Sequence, residues 1–284
     1  MTIKAVIFDI GGVCVGSPIE GVNEAERLYN LPVNYLNASI TARGKQGAFQ
    51  RLERGELDLE TFYRRFGQEM SDTTIGNQAY KVYCERRGKP LPTNLPHKLD
   101  INGKEMWAIM MKPATEPDQN IIEAINALRG RFKIAALTNN FNVPGVPKSA
   151  TPTTSTKSSQ IENPLKPKQI VSFEQLRESL HESRKDPNNA GAPNEMLKSM
   201  FDLFVESSVE GLRKPDPKFY QLALDRLGVK PNETVFLDDI GHNLVAAKKL
   251  GINTIRVELQ KSAQAVDQLE KIVGIPLKRG LAKL

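Results

Sequence analysis

Cysteine is nearly absent: Cys14 and Cys84 are the only two in 284 residues. They lie far apart and offer no metal-ligand spacing, which argues against a disulfide scaffold or a zinc module and for a reducing intracellular compartment. No basic n-region followed by an apolar h-region opens the chain, so a signal peptide is not expected. No apolar run approaches the ~18 residues that a membrane helix needs. Helix-turn-helix patterning, zinc spacing and basic stripes interleaved with aromatics are missing too, which sets nucleic acid aside as a partner. Charge of one sign is only in modest excess, at +6. The basic residues gathered at Lys278, Arg279 and Lys283, and at Lys148, Lys157, Lys166 and Lys168, read as solvated surface. What remains is an ordinary globular composition, 39% hydrophobic and 25% charged, in a length that accommodates one large domain or one domain plus a smaller one.

The stretch KAVIFDIGGVCVGSP (4–18) is an apolar run that breaks on Asp9 and is followed at once by Gly11 and Gly12. Two explanations fit: a nucleophile at a strand tip with room for an anion beside it, or a capped turn. Similar β-branched or apolar runs recur at 132–138, 201–207, 234–239 and 252–258. Amphipathic stretches lie between them. Residues 118–130 open on Asp118 and close on Gly130, and residues 215–228 carry prolines in their first turn and end on Gly228. Residues 242–251 likewise end on a glycine. This alternation predicts an α/β fold, a Rossmann-like parallel sheet with helices on both faces.

Two segments interrupt the alternation. Residues 17–112 read as helices (20–30, 35–44, 47–55 and 57–70 most clearly) and follow directly on the first strand. They are therefore expected above the carboxyl edge of the sheet, where open α/β sheets bind ligands, as a helical cap on a core made of 1–16 and 113–284. The second segment is a long insertion at 142–195. Its first part, 142–168, holds five prolines and eight serines and threonines, too little apolar surface to offset ordering, so the insertion is expected to be largely disordered. Within it, Ser172 and Gln175 form a capping-box pattern that predicts a helix over 172–185.

Taken in order, the strand ends carry Asp9, then Thr138-Asn139, then Asp238-Asp239, with Lys214 in a loop before a helix. Each has a plain structural explanation alone: a capped turn, a β-branched strand end, a solvated lysine, an N-cap pair. His242 reads as a surface or helix-start residue. Together they supply a carboxylate nucleophile, a hard-oxygen site suited to Mg²⁺, a hydroxyl and an amide for phosphate oxygens, and a lysine to neutralise charge.

In this order the residues resemble the haloacid dehalogenase superfamily, helical-cap subclass. AVIFDIGGV, LTNN, GLRKPDPKFYQLALDRL and VFLDDIGHNLVAAKKLGINTIRV are most similar to the N-terminal phosphatase domain of the soluble epoxide hydrolases. The resemblance covers most of the chain outside 142–200. It implies Asp9 as nucleophile and metal ligand, Lys214 as the charge-neutralising lysine, Thr138 and Asn139 as phosphate-binding, and Asp239 with Asp238 completing the Mg²⁺ site. The substrate it implies is a small-molecule or lipid phosphate. One position departs from the pattern. Phosphatases of the superfamily carry a second aspartate two residues after the nucleophile, as general acid and base; here it is Gly11, whose backbone carbonyl the resemblance still implies as a metal ligand. General acid–base help is typically worth about 10²–10⁴-fold. The expectation is thus a Mg²⁺-dependent phosphatase, with a weakly active phospho-ligand binder and a dehalogenase as the alternatives. Finally, Ala282-Lys283-Leu284 is a near variant of the Ser-Lys-Leu peroxisomal address. A peroxisomal import receptor is accordingly a candidate partner, and peroxisome or cytoplasm the expected location.

Overall fold

The computed structural model describes residues 2–141, 170–185 and 193–277. The serine- and proline-rich stretch 142–168, expected to be disordered, residues 186–192 and Ala282-Lys283-Leu284 lie outside them. Strand β1 (Ala5–Phe8) opens the chain. Six helices follow it: α1 (Pro18–Leu28), α2 (Tyr35–Ala42), α3 (Ala48–Glu53), α4 (Leu59–Ser71), α5 (Thr73–Arg87) and α6 (Gly103–Met111). Helix α7 (Gln119–Leu128) then leads into β2 (Lys133–Thr138). Next come α8 (Phe173–Arg184), α9 (Glu195–Lys198), β3 (Leu203–Glu206), α10 (Ser207–Glu210) and α11 (Pro217–Leu227). The chain closes with β4 (Thr234–Asp238), α12 (Gly241–Lys249), β5 (Asn253–Arg256) and α13 (Ser262–Val273).

The five strands form one sheet in the order β3-β2-β1-β4-β5, every neighbouring pair parallel. This is the α/β sheet that the alternation of runs predicts. Its two faces follow from the period of two along each strand. Val6 and Phe8 join Val235 and Leu237 under α7 and α13, whereas Ala5 and Ile7 join Leu137 and Phe236 under α11 and α12. Because both faces are covered, β1 is buried at all four residues, and a continuous apolar run is what it needs.

Local chemistry sets the helix ends. Ser17 and Glu20 form a capping box at α1, with Pro18 in its first turn. Asp118 caps α7, Asp216 caps α11, and Gly228 closes α11 in the left-handed conformation. The Ser172–Gln175 box starts α8, which packs Leu176 and Leu180 onto the core.

Helices α1 to α6 bury their apolar faces against one another around a separate centre. Phe62 stacks on Phe66 at 4.9 Å and meets Trp107 edge-on at 4.9 Å. Phe141, just past β2, reaches into this centre and meets Trp107 edge-on, also at 4.9 Å. No helix among the described residues is long and apolar enough to cross a membrane.

Candidate active site

In a parallel sheet whose strand order reverses around β1, the carboxyl ends of β1 and its neighbours face one crevice. Register brings the carboxylates together there. Phe8 pairs with Leu237, and the Asp9 amide donates to the Leu237 carbonyl at 2.9 Å, so Asp9 lies beside Asp238. Lys214, fully buried, reaches between them: its Nζ is 2.7 Å from Asp9 Oδ1 and 2.8 Å from Asp238 Oδ2. The ammonium also lies 5.4 Å from the centroid of the Phe236 ring.

Each of these side chains is held by others. Asp238 accepts from the Ile240 amide at 2.7 Å and from Asn243 Nδ2 at 3.1 and 3.2 Å, which with Lys214 engages both of its oxygens. Asn139 clamps the main chain of Lys214 at both ends: its Oδ1 accepts from the Lys214 amide at 2.8 Å and its Nδ2 donates to the Lys214 carbonyl at 3.1 Å. Asp239 accepts from Ser17 Oγ at 3.0 Å, while its Oδ1 is buried without a hydrogen-bond partner. Gly12 adopts φ +79°, and the Gly12 amide donates to the Val15 carbonyl at 2.8 Å, closing the turn beside Asp9.

The charges do not balance. Oxygens of Asp9, Asp238 and Asp239 lie within 4.8 Å of one another, and three carboxylates against the one ammonium of Lys214 leave two net negative charges. Burial pushes Asp9 well above the ordinary carboxylate range; Lys214 opposes this, and Asp238 and Asp239 add to it. Burial, with Asp238 next to it, pushes Asp239 up to about 6. For Lys214 burial pulls the other way, but Asp238 and Asp9 outweigh it, so the ammonium holds its proton more tightly than a free lysine. A divalent cation fits this donor set: hard carboxylate oxygens, an unpartnered buried oxygen on Asp239, and a deficit of two positive charges.

A cavity of about 1070 Å³ opens above these residues, lined by Asp9, Gly11, Asn139, Lys214 and Asp239 on the sheet side. Ile19, Val22, Ile40, Phe49 and Met110, from the helices between β1 and β2, supply apolar wall. The structure thus brings Asp9, Gly11, Asn139, Lys214 and Asp239 to one space. Thr138 and Asp238 are buried, at 2% and 0% exposure, at the ends of β2 and β4. The Asn139 side chain, read from the sequence as a phosphate ligand, lines the cavity and bonds the Lys214 main chain at both ends. His242 is exposed at the start of α12 and lines the cavity.

Four residues escaped the sequence reading. Ser17 was visible as the first residue of a Ser-x-x-Glu capping pattern, but nothing in the sequence indicates its bond to Asp239. Asn243 sits one helical turn past the aspartate pair. Glu53 and Arg213, paired at 2.5 Å on the cavity wall, carry no local signature at all.

The comparisons agree with this geometry. A family model described as haloacid dehalogenase-like hydrolase matches residues 178–251. The chain is 29% identical to acyl-CoA dehydrogenase family member 10 of Mus musculus, over 98% of this chain and 20% of that protein. It is 25% identical to bifunctional epoxide hydrolase 2 of Sus scrofa, over 98% of this chain and 40% of that protein. The chain therefore spans only a fifth to two fifths of these two relatives. A sesquiterpene phosphatase of Aspergillus oryzae is 35% identical, over 96% of this chain and 98% of the relative.

Proposed function

Since this chain belongs to the haloacid dehalogenase-like hydrolases, we propose that it is a Mg²⁺-dependent phosphomonoesterase whose nucleophile is Asp9. The observation that carries this reading is the buried Lys214 bridging Asp9 and Asp238, beside an Asp239 whose Oδ1 has no partner. Asp9, Asp239 and the Gly11 carbonyl would hold the metal. Asp238, with both oxygens engaged, orients Lys214 and the Asp239 loop. A bound Mg²⁺ supplies charge stabilisation for the transferring phosphoryl group. Lys214 opposes the burial that raises the Asp9 carboxyl and neutralises charge on the incoming phosphate. Attack by an Asp9 carboxylate oxygen on phosphorus forms an aspartyl phosphate and releases the alcohol; water then attacks phosphorus and returns Asp9. Asn139 lines the same cavity and fixes the Lys214 main chain, and Thr138 precedes it at the end of β2. Helices α1 to α6 act as the cap. Its apolar walls suit an organic phosphate with a hydrocarbon body, a reading supported by the likeness to a sesquiterpene phosphatase.

Phosphate release from a panel of aryl, alkyl, terpenyl and acyl phosphates, with and without Mg²⁺, tests this beside Asp9→Asn. Release that needs both metal and Asp9 is expected. Phosphate binding without turnover, a reading that Gly11 favours, would overturn it, as would metal-independent halide release from haloacids.

The Asp239 carboxyl adds a prediction about pH. Its folded value of about 6 lies above the ordinary 3.8, so the metal-free fold loses stability as pH rises through that window. At 1.36 kcal/mol per unit the loss is about 3 kcal/mol at most, reached above pH ~6. A cation that pairs with Asp239 removes the penalty. Mg²⁺ should therefore raise the melting temperature clearly at pH 7.5 and little at pH 5, where protons compete for the same oxygens. An equal shift at both values would place the metal elsewhere.

A further inference from the structure

Gly11 leaves the proposed reaction without a proton donor for its leaving group, yet another carboxyl lines the same cavity. Glu53 ends α3, is 7% exposed and lines the cavity with Asp9 and Lys214. The other titratable acids and imidazole that line it among the described residues are accounted for differently. Asp9 and Asp239 belong to the carboxylate cluster, Asp216 is exposed and caps α11, and His242 is exposed on α12.

Glu53 is also held in place from the sheet side. Ser207 Oγ donates to the Glu53 carbonyl at 2.5 Å and accepts from the Asn140 amide at 2.9 Å. Arg213 Nη2 faces Glu53 Oε2 at 2.5 Å. The neighbours of these anchors, Asn139 and Lys214, are the pair that sets the lysine between Asp9 and Asp238. The same two short runs of chain, 139–140 and 213–214, thus position both the nucleophile's lysine and Glu53. Arg213 thus pairs with the Glu53 carboxyl by charge, and Glu53 Oε2 has no hydrogen-bond partner of its own.

We propose that Glu53 takes over the general acid–base function that Gly11 lacks, donating a proton to the departing alcohol oxygen and later accepting one from the attacking water. The balance is complete. As the bond from Asp9 to phosphorus forms and the bond to the ester oxygen breaks, the Glu53 proton passes to that oxygen and the alcohol leaves. In the second half the Glu53 carboxylate takes a proton from water as its oxygen bonds phosphorus and the bond to Asp9 breaks, which restores the protonated carboxyl. Burial raises the Glu53 carboxyl above its ordinary range against the opposing charges of Arg213, Lys214 and Arg54, the direction that favours a proton donor. The proposal rests on the phosphatase reading above.

The test compares wild type and Glu53→Gln, both with Mg²⁺, on alkyl phosphates and on p-nitrophenyl phosphate, which leaves without needing a proton. The expected result is a loss in kcat/KM of about 10²–10³-fold on the alkyl esters and a much smaller loss on the aryl ester. An equal loss on both would show that Glu53 only holds the helices to the sheet, and would overturn the assignment while leaving the phosphatase reading intact. So would a leaving-group-dependent loss in His242→Asn in place of Glu53→Gln. Absence of Mg²⁺-dependent release in wild type from every ester would instead remove the phosphatase reading itself. Should Glu53→Gln fail to fold, Arg213→Met serves: by removing the nearest positive charge it should move the basic limb of the alkyl-ester pH–rate profile to higher pH. An unmoved limb would overturn the proposal.

Discussion

Lys214→Met should remove phosphate release from every substrate and lower the unfolding free energy of the metal-free protein by about 3–5 kcal/mol at pH 7.5. The substitution keeps the length of the side chain and deletes its charge. In the wild type the ammonium is 0% exposed and touches Asp9 and Asp238 at 2.7 and 2.8 Å. Without it, Asp9, Asp238 and Asp239 share one buried space with no cation among them. A buried charge stripped of its partner is worth far more than a surface pair: Lys4, bonded to Glu233 at 2.6 Å but 57% exposed, should contribute less than about 1 kcal/mol when removed. The pH dependence identifies the cause. The carboxylates can relieve their repulsion by taking up protons, and Asp9 and Asp239 already hold theirs above the ordinary range. The destabilisation should therefore shrink as pH falls through about 6, the value at Asp239. Urea unfolding of both proteins at pH 7.5 and 5.5, in chelator, measures this. A loss of the same size at both values would mean that Lys214 contributes packing, not charge.

Much of this centre is legible in the sequence because its members stand at the ends of strands, and strands are legible as apolar runs. Asp9 and the Asp238-Asp239 pair each follow such a run, and parallel pairing of β1 with β4 makes them neighbours. Lys214 is legible for a different reason: Pro215 and Pro217 announce a helix start, and helices in this alternation begin near the carboxyl edge of the sheet. The helical segment is readable only in part. Helices α1 to α4 carry clear amphipathic patterns, whereas α5 buries only Gly76, Tyr80 and Cys84 along fifteen residues, too sparse a stripe to stand out. What the sequence withholds are bonds between distant positions. The chain separation from Ser17 to Asp239 is 222 residues and from Asn139 to Lys214 is 75. Residue type predicts that Asn139 binds something at a strand end. Only the fold shows that the loop carrying Lys214 returns to occupy both ends of its amide. Glu53 is hidden twice over, since it lies in a helix without a motif and faces the site only because α3 packs across the crevice.

The adjacent glycines should respond in opposite ways to added side chains. Gly12→Ala should cost several kcal/mol in stability and reduce Mg²⁺ affinity by at least about tenfold. Its φ of +79° already disfavours any side chain by about 1–2 kcal/mol. A Cβ there would also sit 2.5 Å from Asp239 Cγ and closer still to its Oδ2, far inside van der Waals contact. Asp239 would have to rotate away, breaking its bond from Ser17 Oγ and displacing an oxygen proposed to hold the metal. Gly11 has no such constraint. Its φ is not positive, and a Cβ would meet only Pro18, with Cδ at 3.2 Å, a ring at the start of α1 that needs to yield by a few tenths of an ångström. Gly11→Asp is thus expected to fold, to keep the backbone carbonyl proposed to hold the metal, and to place a carboxyl on the cavity wall beside Asp9. If a proton donor for the leaving group is what limits turnover, this variant gains most on alkyl phosphates and little on p-nitrophenyl phosphate. It should also restore much of the alkyl-ester rate in a Glu53→Gln background, since either carboxyl then serves the same oxygen. Isothermal titration with Mg²⁺ and phosphate release on the two ester classes separate the cases. A Gly12→Ala protein that binds Mg²⁺ like the wild type would remove Asp239 from the metal site. A Glu53→Gln/Gly11→Asp protein with the same ratio of alkyl to aryl rates as Glu53→Gln alone would show that proton transfer does not govern the reaction.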